Sequence, residues 1–102
     1  MFAHVVSFRA PVTELEGIGM QGFRERVVPV LRELPGLKGA LTLLHGGQGE
    51  EGEILGITLW DTEEHARAAA TRLEREQQTG VGEMGATSPP GKLYNVLAQE
   101  MP

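Results

Sequence analysis

Four segments of this 102-residue chain read as β-strands, and none alternates cleanly between apolar and polar residues. In Phe2 to Arg9, Phe2, His4, Val6 and Phe8 share one face, while Ala3, Val5 and Ser7 share the other. Glu53 to Trp60 sets Leu55 and Ile57 against Ile54, and Lys92 to Gln99 sets Tyr94 and Val96 against Leu93 and Leu97. Leu37 to His45 completes the set and should form a hairpin with the strand from Glu53, across a turn at Gly46 to Gly52. An antiparallel sheet with one wet face carries polar residues at every second position. Here both faces ask for cover.

Two helical patterns lie between the strands. The first follows Pro11, with Thr13 as the expected N-cap and Glu14 and Glu16 in the turn where the helix dipole favours acids. Its apolar stripe is Met20, Phe23, Val27, Val30, Leu31 and Leu34. Gly17, Gly19 and Gly22 weaken its first half by roughly 1 kcal/mol each relative to Ala. Pro29 should kink or shift it, and Pro35-Gly36 should end it. The second pattern is expected to be capped by Asp61, with Glu64 completing a capping box, and to run to about Gln78. Ala66, Ala69, Ala70 and Leu73 form its buried stripe, and Glu63 and Arg67 an i,i+4 ion pair. Residues 79–91 hold four Gly and two Pro and read as a mobile loop, with Met84 free to dock elsewhere.

The order is βαββαβ, an α+β ferredoxin-like arrangement of a single domain, residues 1–102. Right-handed crossovers give an antiparallel sheet in the order 4-1-3-2, with both helices on one face. No third helix remains for the other face. A second copy of the same sheet is the simplest cover, so a homodimer through the sheet face is expected, with a dimeric α/β barrel as the result.

Composition narrows the function classes. The net charge of −5 argues against nucleic acid as a partner, since binding it needs a basic surface. No apolar run approaches a membrane span, and MFAHVVSFRA does not read as a signal peptide, so a cytoplasmic protein is expected. Cys is absent, which excludes disulfides and thiolate chemistry. Arg outnumbers Lys seven to two, and Asn occurs once. That skew suits a thermophile or, equally, a GC-rich genome.

The stretch PGLKGALTLLHGGQGEEGEILGITLWDTEEHARAA resembles the antibiotic biosynthesis monooxygenase family of dimeric α/β barrels. Pro35 and Gly36 after the first helix, an apolar hairpin ending in Trp60, and the acidic helix start Asp61, Glu63 and Glu64 carry the resemblance. It implies the barrel fold, and it implies cofactor-free oxygenase or haem-degrading activity only where the family's polar residues are present. Haem-degrading members carry a histidine about ten residues after the Trp, where this chain has Ala70. Both enzymatic branches use an Asn on the first strand, where this chain has none.

Four residues are candidates for binding a small organic molecule between helices and sheet: His4, Phe23, Trp60 and His65. The expected topology brings His4 and the start of the second helix to the sheet end where Trp60 lies. Two imidazoles near an indole suit an aromatic ligand or a proton transfer. Each also has a purely structural reading: Trp60 as core, His4 as a hydrogen-bonded strand residue, His65 as surface. The small residues Ala66, Ala68, Ala69 and Ala70 fit either a cavity or a close helix approach. No cofactor and no metal site is expected, because the three histidines lack ligand spacing. HGGQGEEG is acidic and lacks the Gly-Lys-Ser/Thr ending of a phosphate loop.

Overall fold

The computed structural model describes residues 1–83 and 91–100, with side chains described outside 77–83. Strands β1 (Phe2–Pro11), β2 (Leu37–His45), β3 (Glu51–Trp60) and β4 (Lys92–Asn95) form one antiparallel sheet in the order β2-β3-β1-β4. Read from the other edge, this is the expected 4-1-3-2. Helix α1 covers residues 12–33, and α2 is Glu63–Glu83.

Register assigns the faces, because residues paired across strands point the same way. Phe2 pairs with Trp60, His4 with Thr58, Val6 with Gly56 and Phe8 with Ile54, all toward the helices. Val5 pairs with Ile57, and β2 sets Leu41 against Ile57 and Leu43 against Leu55, on the face that no helix among the described residues covers. Leu41, Leu43 and Tyr94 are exposed there, so both faces of the sheet are apolar.

The core on the helix side is in two parts. Val30 and Leu31 of α1 and Ala66, Ala69 and Leu73 of α2 close on Trp60. At the other end, Leu15 packs on Ala10 and Ile54. Gly52 lets α1 come this close, since a Cβ there would crowd Val12 and Leu15. The Val12 N–H is tied to the Glu50 carbonyl at 3.0 Å.

Helix α1 is not uniformly α-helical. Wider π-helical stretches at Leu15–Gly19 and Phe23–Val27 alternate with α-helical turns. Pro29 falls at the start of the α-helical turn Val28–Glu33. It has no N–H to donate to a preceding turn, and the π-helical stretch just upstream absorbs the irregularity.

Several boundaries differ from expectation. Helix α1 begins at Val12 with Pro11 at the N-cap position and no side-chain cap, so Thr13 does not cap it. Thr62, not Asp61, caps α2: its Oγ1 accepts the His65 N–H at 3.1 Å. The Asp61 N–H is instead held by the Gly36 carbonyl at 2.9 Å, which delays the helix by one residue. Helix α2 continues to Glu83 rather than stopping at Gln78, because extending a helix costs far less than starting one. Thus 79–83 are helical, and the rest of the expected loop to Pro90, Met84 included, lies outside the described residues. Strand β4 ends at Asn95 rather than Gln99, since Asn95 pairs with Phe2 and Val96 already bonds Met1.

Candidate functional site

Between the two halves of the core, under α1, lies a cavity of about 100 Å³. It exists because side chains are missing. Gly19 and Gly22 face it from α1, and Ala40 and Gly56 from the sheet. Phe8, Phe23, Ile54 and Leu73 make the wall mostly apolar. The space is of the same order as the roughly 150 Å³ apolar cavity that admits benzene.

His4, Thr58, Arg26 and Glu76 bring polar chemistry to the wall. His4 is 2% exposed. Its Nε2 lies 3.3 Å from Oε1 of Glu74 on α2. The same carboxylate oxygen accepts the Gly91 N–H at 3.1 Å. A Cβ at Gly91 would press on the His4 ring, the Glu74 carboxylate and Val6, so glycine lets the chain pass over the pair. Arg26 is half-buried, with Nη1 shut off from solvent.

The four candidate residues fall in different places. His4 and Phe23 line the cavity. Trp60 is completely buried in the adjoining core, packed among Phe2, Ala66, Ala69 and Leu73. Its indole N–H donates to Thr58 Oγ1 at 2.9 Å. His65 lies in the first turn of α2, nine residues or about 13 Å of helix from Glu74. Its Nδ1 is 2.6 Å from Asp61 Oδ1. The hydrogen bond with His65 is the largest influence holding the Asp61 carboxyl below its ordinary value of 3.8.

Gly36 sits against this pair with φ +87°, and a Cβ there would collide with both side chains. The Pro35-Gly36 and Trp60-Asp61 pattern therefore joins the end of α1 to the start of α2. The alanines of α2 bring that helix close to Trp60 rather than opening space. Ala70, ten residues after Trp60, is half-buried. Ser7 of β1 pairs with Leu55 on the helix-free face.

Sequence reasoning passed over Glu74, Arg26, Glu76 and Thr58. The sequence carried no signal for them, because these residues are brought to one cavity only by the tertiary fold. Among the described residues no group of three His, Asp or Glu could hold a metal. No helix among them is long and apolar enough to cross a membrane.

No family model and no curated protein matches the chain in sequence. Solved structures do match in shape. A dimeric ferredoxin-like protein from an uncultured marine organism superposes with a TM-score of 0.73 over 100% of both chains, at 12% identity. A monooxygenase of Streptomyces coelicolor, solved in complex with nanaomycin D, matches with a TM-score of 0.64 at 19% identity, over 99% of this chain and 91% of its own. The chain shares the fold of the antibiotic biosynthesis monooxygenases. SnoaB, a cofactor-independent oxygenase from Streptomyces nogalater, has this monooxygenase fold as well, with a TM-score of 0.60 at 17% identity over 99% of this chain and 97% of its own.

Proposed function

We propose that this protein is a homodimer, paired through the helix-free face of its sheet, that binds a small organic molecule between α1 and the sheet. The observation that carries the reading is the cavity: apolar walls around a few polar groups, the usual composition of a small-molecule site. His4 and Phe23 contact the ligand directly. Trp60 supports the floor through Thr58, and His65 orders the entry to α2. The dimer is supported by the exposed leucines of β2 and by the dimeric ferredoxin-like neighbour.

A second reading, a cofactor-free monooxygenase acting on a small aromatic substrate, is favoured by the oxygenases that share the fold. It would have to work without the first-strand Asn that the family resemblance implies. Haem degradation fits less well, since Ala70 offers no ligand to iron.

The test is amide-resolved NMR during titration with a panel of small aromatic compounds. Binding should move the signals of His4, Gly22, Phe23, Gly56 and Thr58 first. A panel with no binder, or shifts confined to residues remote from the cavity, would sink the ligand-site reading. Oxygen uptake with a bound hydroxyaromatic compound separates the enzyme from the binding protein: no uptake removes the monooxygenase reading.

A further inference from the structure

We infer that residues 16–29 of α1 are a gate, which opens as a unit between two buried anchors and gives the way into the cavity. The entry role rests on the cavity being a ligand site. The opening itself does not.

Helix α1 is fastened at its ends and loose between them. Near its start Val12 and Leu15 are wholly buried, and the Val12 N–H is bonded to the Glu50 carbonyl. Near its end Val30 and Leu31 belong to the core around Trp60. None of residues 16–29 is buried, and Ile18 is 41% exposed. Helix α2 lies on the same face of the sheet and is fastened turn by turn through Ala66, Ala69 and Leu73. Segments with few buried apolar contacts are the ones that open locally while the rest of a protein stays folded.

The loose stretch is also weak in itself. Gly17, Gly19 and Gly22 fall within it, and none of them has a positive φ. A Cβ at Gly17 would meet nothing within 4 Å. Neither backbone conformation nor packing calls for glycine there. What remains is its effect on the helix, in which only proline is less favourable. The π-helical stretches Leu15–Gly19 and Phe23–Val27 lie in the same part of α1. Such stretches are rare and occur often at functional sites.

This stretch is the roof of the cavity. Gly19, Met20, Gly22, Phe23, Arg26 and Val27 all line it. The side chains that hold the roof down include Phe23 and Val27, half-buried against the Trp60 core. At its first residue, Glu16 Oε2 accepts an exposed hydrogen bond from Gln48 Nε2 at 3.0 Å. Opening therefore releases half-buried contacts and leaves both anchors seated.

Hydrogen exchange of the ligand-free wild type tests the opening. Amides of 16–29 should share one opening reaction that responds weakly to denaturant. Their protection should be lower than that of β1 and β3 by about tenfold or more. Protection equal to that of the two strands, with the same denaturant dependence, overturns the gate. The entry role is read from benzene exchange by NMR in the wild type and in Gly17→Ala, whose new Cβ lies in open space. A ligand that enters and leaves through the gate should associate and dissociate more slowly in the variant. Both rates should fall by roughly two- to fivefold, the weight of alanine over glycine in a helix, with Kd unchanged. Unchanged rates overturn this route, and a change in Kd alone places the effect of Gly17 on the bound state and overturns it too. If benzene does not bind, the cavity reading falls and the entry role with it, while the exchange pattern still decides whether 16–29 open as a unit.

Discussion

The indole N–H of Trp60 is satisfied by the hydroxyl of Thr58, two residues earlier on the same strand, at 2.9 Å. Residues i and i+2 of a strand share a face, so this bond is available without any tertiary adjustment. It lets the largest side chain of the protein be wholly buried without an orphaned donor. Thr58→Val keeps the shape and removes the acceptor, and should cost about 1–3 kcal/mol, the penalty of a buried unpaired donor. Trp60→Ala should cost about 3–5 kcal/mol through the void it leaves. Urea unfolding of the two variants checks both values, and near-wild-type stability of Thr58→Val would show that the bond contributes little.

The Asp61 carboxyl holds its proton less tightly in the folded protein than in the unfolded chain, chiefly through the hydrogen bond with His65. The unfolded state therefore takes up protons first as the pH falls. The stabilisation is complete above the ordinary value of 3.8 and is lost as the pH drops through the lowered folded value. Asp61→Asn should flatten the acid limb of the stability profile and leave its neutral limb nearly parallel to wild type. Denaturant midpoints measured across the acid range test this, and an unchanged acid limb would contradict it. Gly36→Ala, at a left-handed position pressed by the same two side chains, should cost at least about 1–3 kcal/mol at every pH.

Two glycines of α1 separate stability from ligand binding. A Cβ at Gly17 meets nothing within 4 Å, and at Gly22 it only reaches Arg26 Nη1 at 3.4 Å. Either glycine replaced by Ala should stabilise the helix by about 0.5–1 kcal/mol. Only Gly22→Ala narrows the cavity, so it alone should weaken aromatic ligands, by several-fold. Calorimetric titration and thermal unfolding read the two effects separately. Equal binding losses in both variants would place the ligand elsewhere.

Leu43 and Leu55 face each other across β2 and β3 on the helix-free side. If a second copy covers that side, the total buried area should reach roughly 2,000 Å² or more. Leu43→Glu sets two like charges in the interface and should yield a folded monomer in sedimentation at micromolar concentration. A wild-type protein that sediments as a clean monomer would remove the dimer and the closed barrel together.

The order of strands and helices was legible because it rests on local periodicity. Phe2, His4, Val6 and Phe8 could only share a face, and the apolar residues at Val5, Leu55 and Ile57 already showed that the sheet has two faces to cover. Boundaries were less legible where distant backbone groups decide them. The Gly36 carbonyl claims the Asp61 N–H and hands the cap to Thr62, and β4 stops where β1 begins.

The candidate site divides the same way. Trp60 was open between core and site in the sequence, and packing against Ala66, Ala69 and Leu73 placed it in the core. His4 was visible as a histidine on an apolar strand face. Its partner was not, because Glu74 lies 70 residues away, one more acid on a charged helix until α2 is laid across the sheet. The cavity was the least legible feature of all. Sequence patterns report the side chains that are present, whereas this space comes from side chains that are absent at Gly19, Gly22, Ala40 and Gly56, and these face one another only in three dimensions.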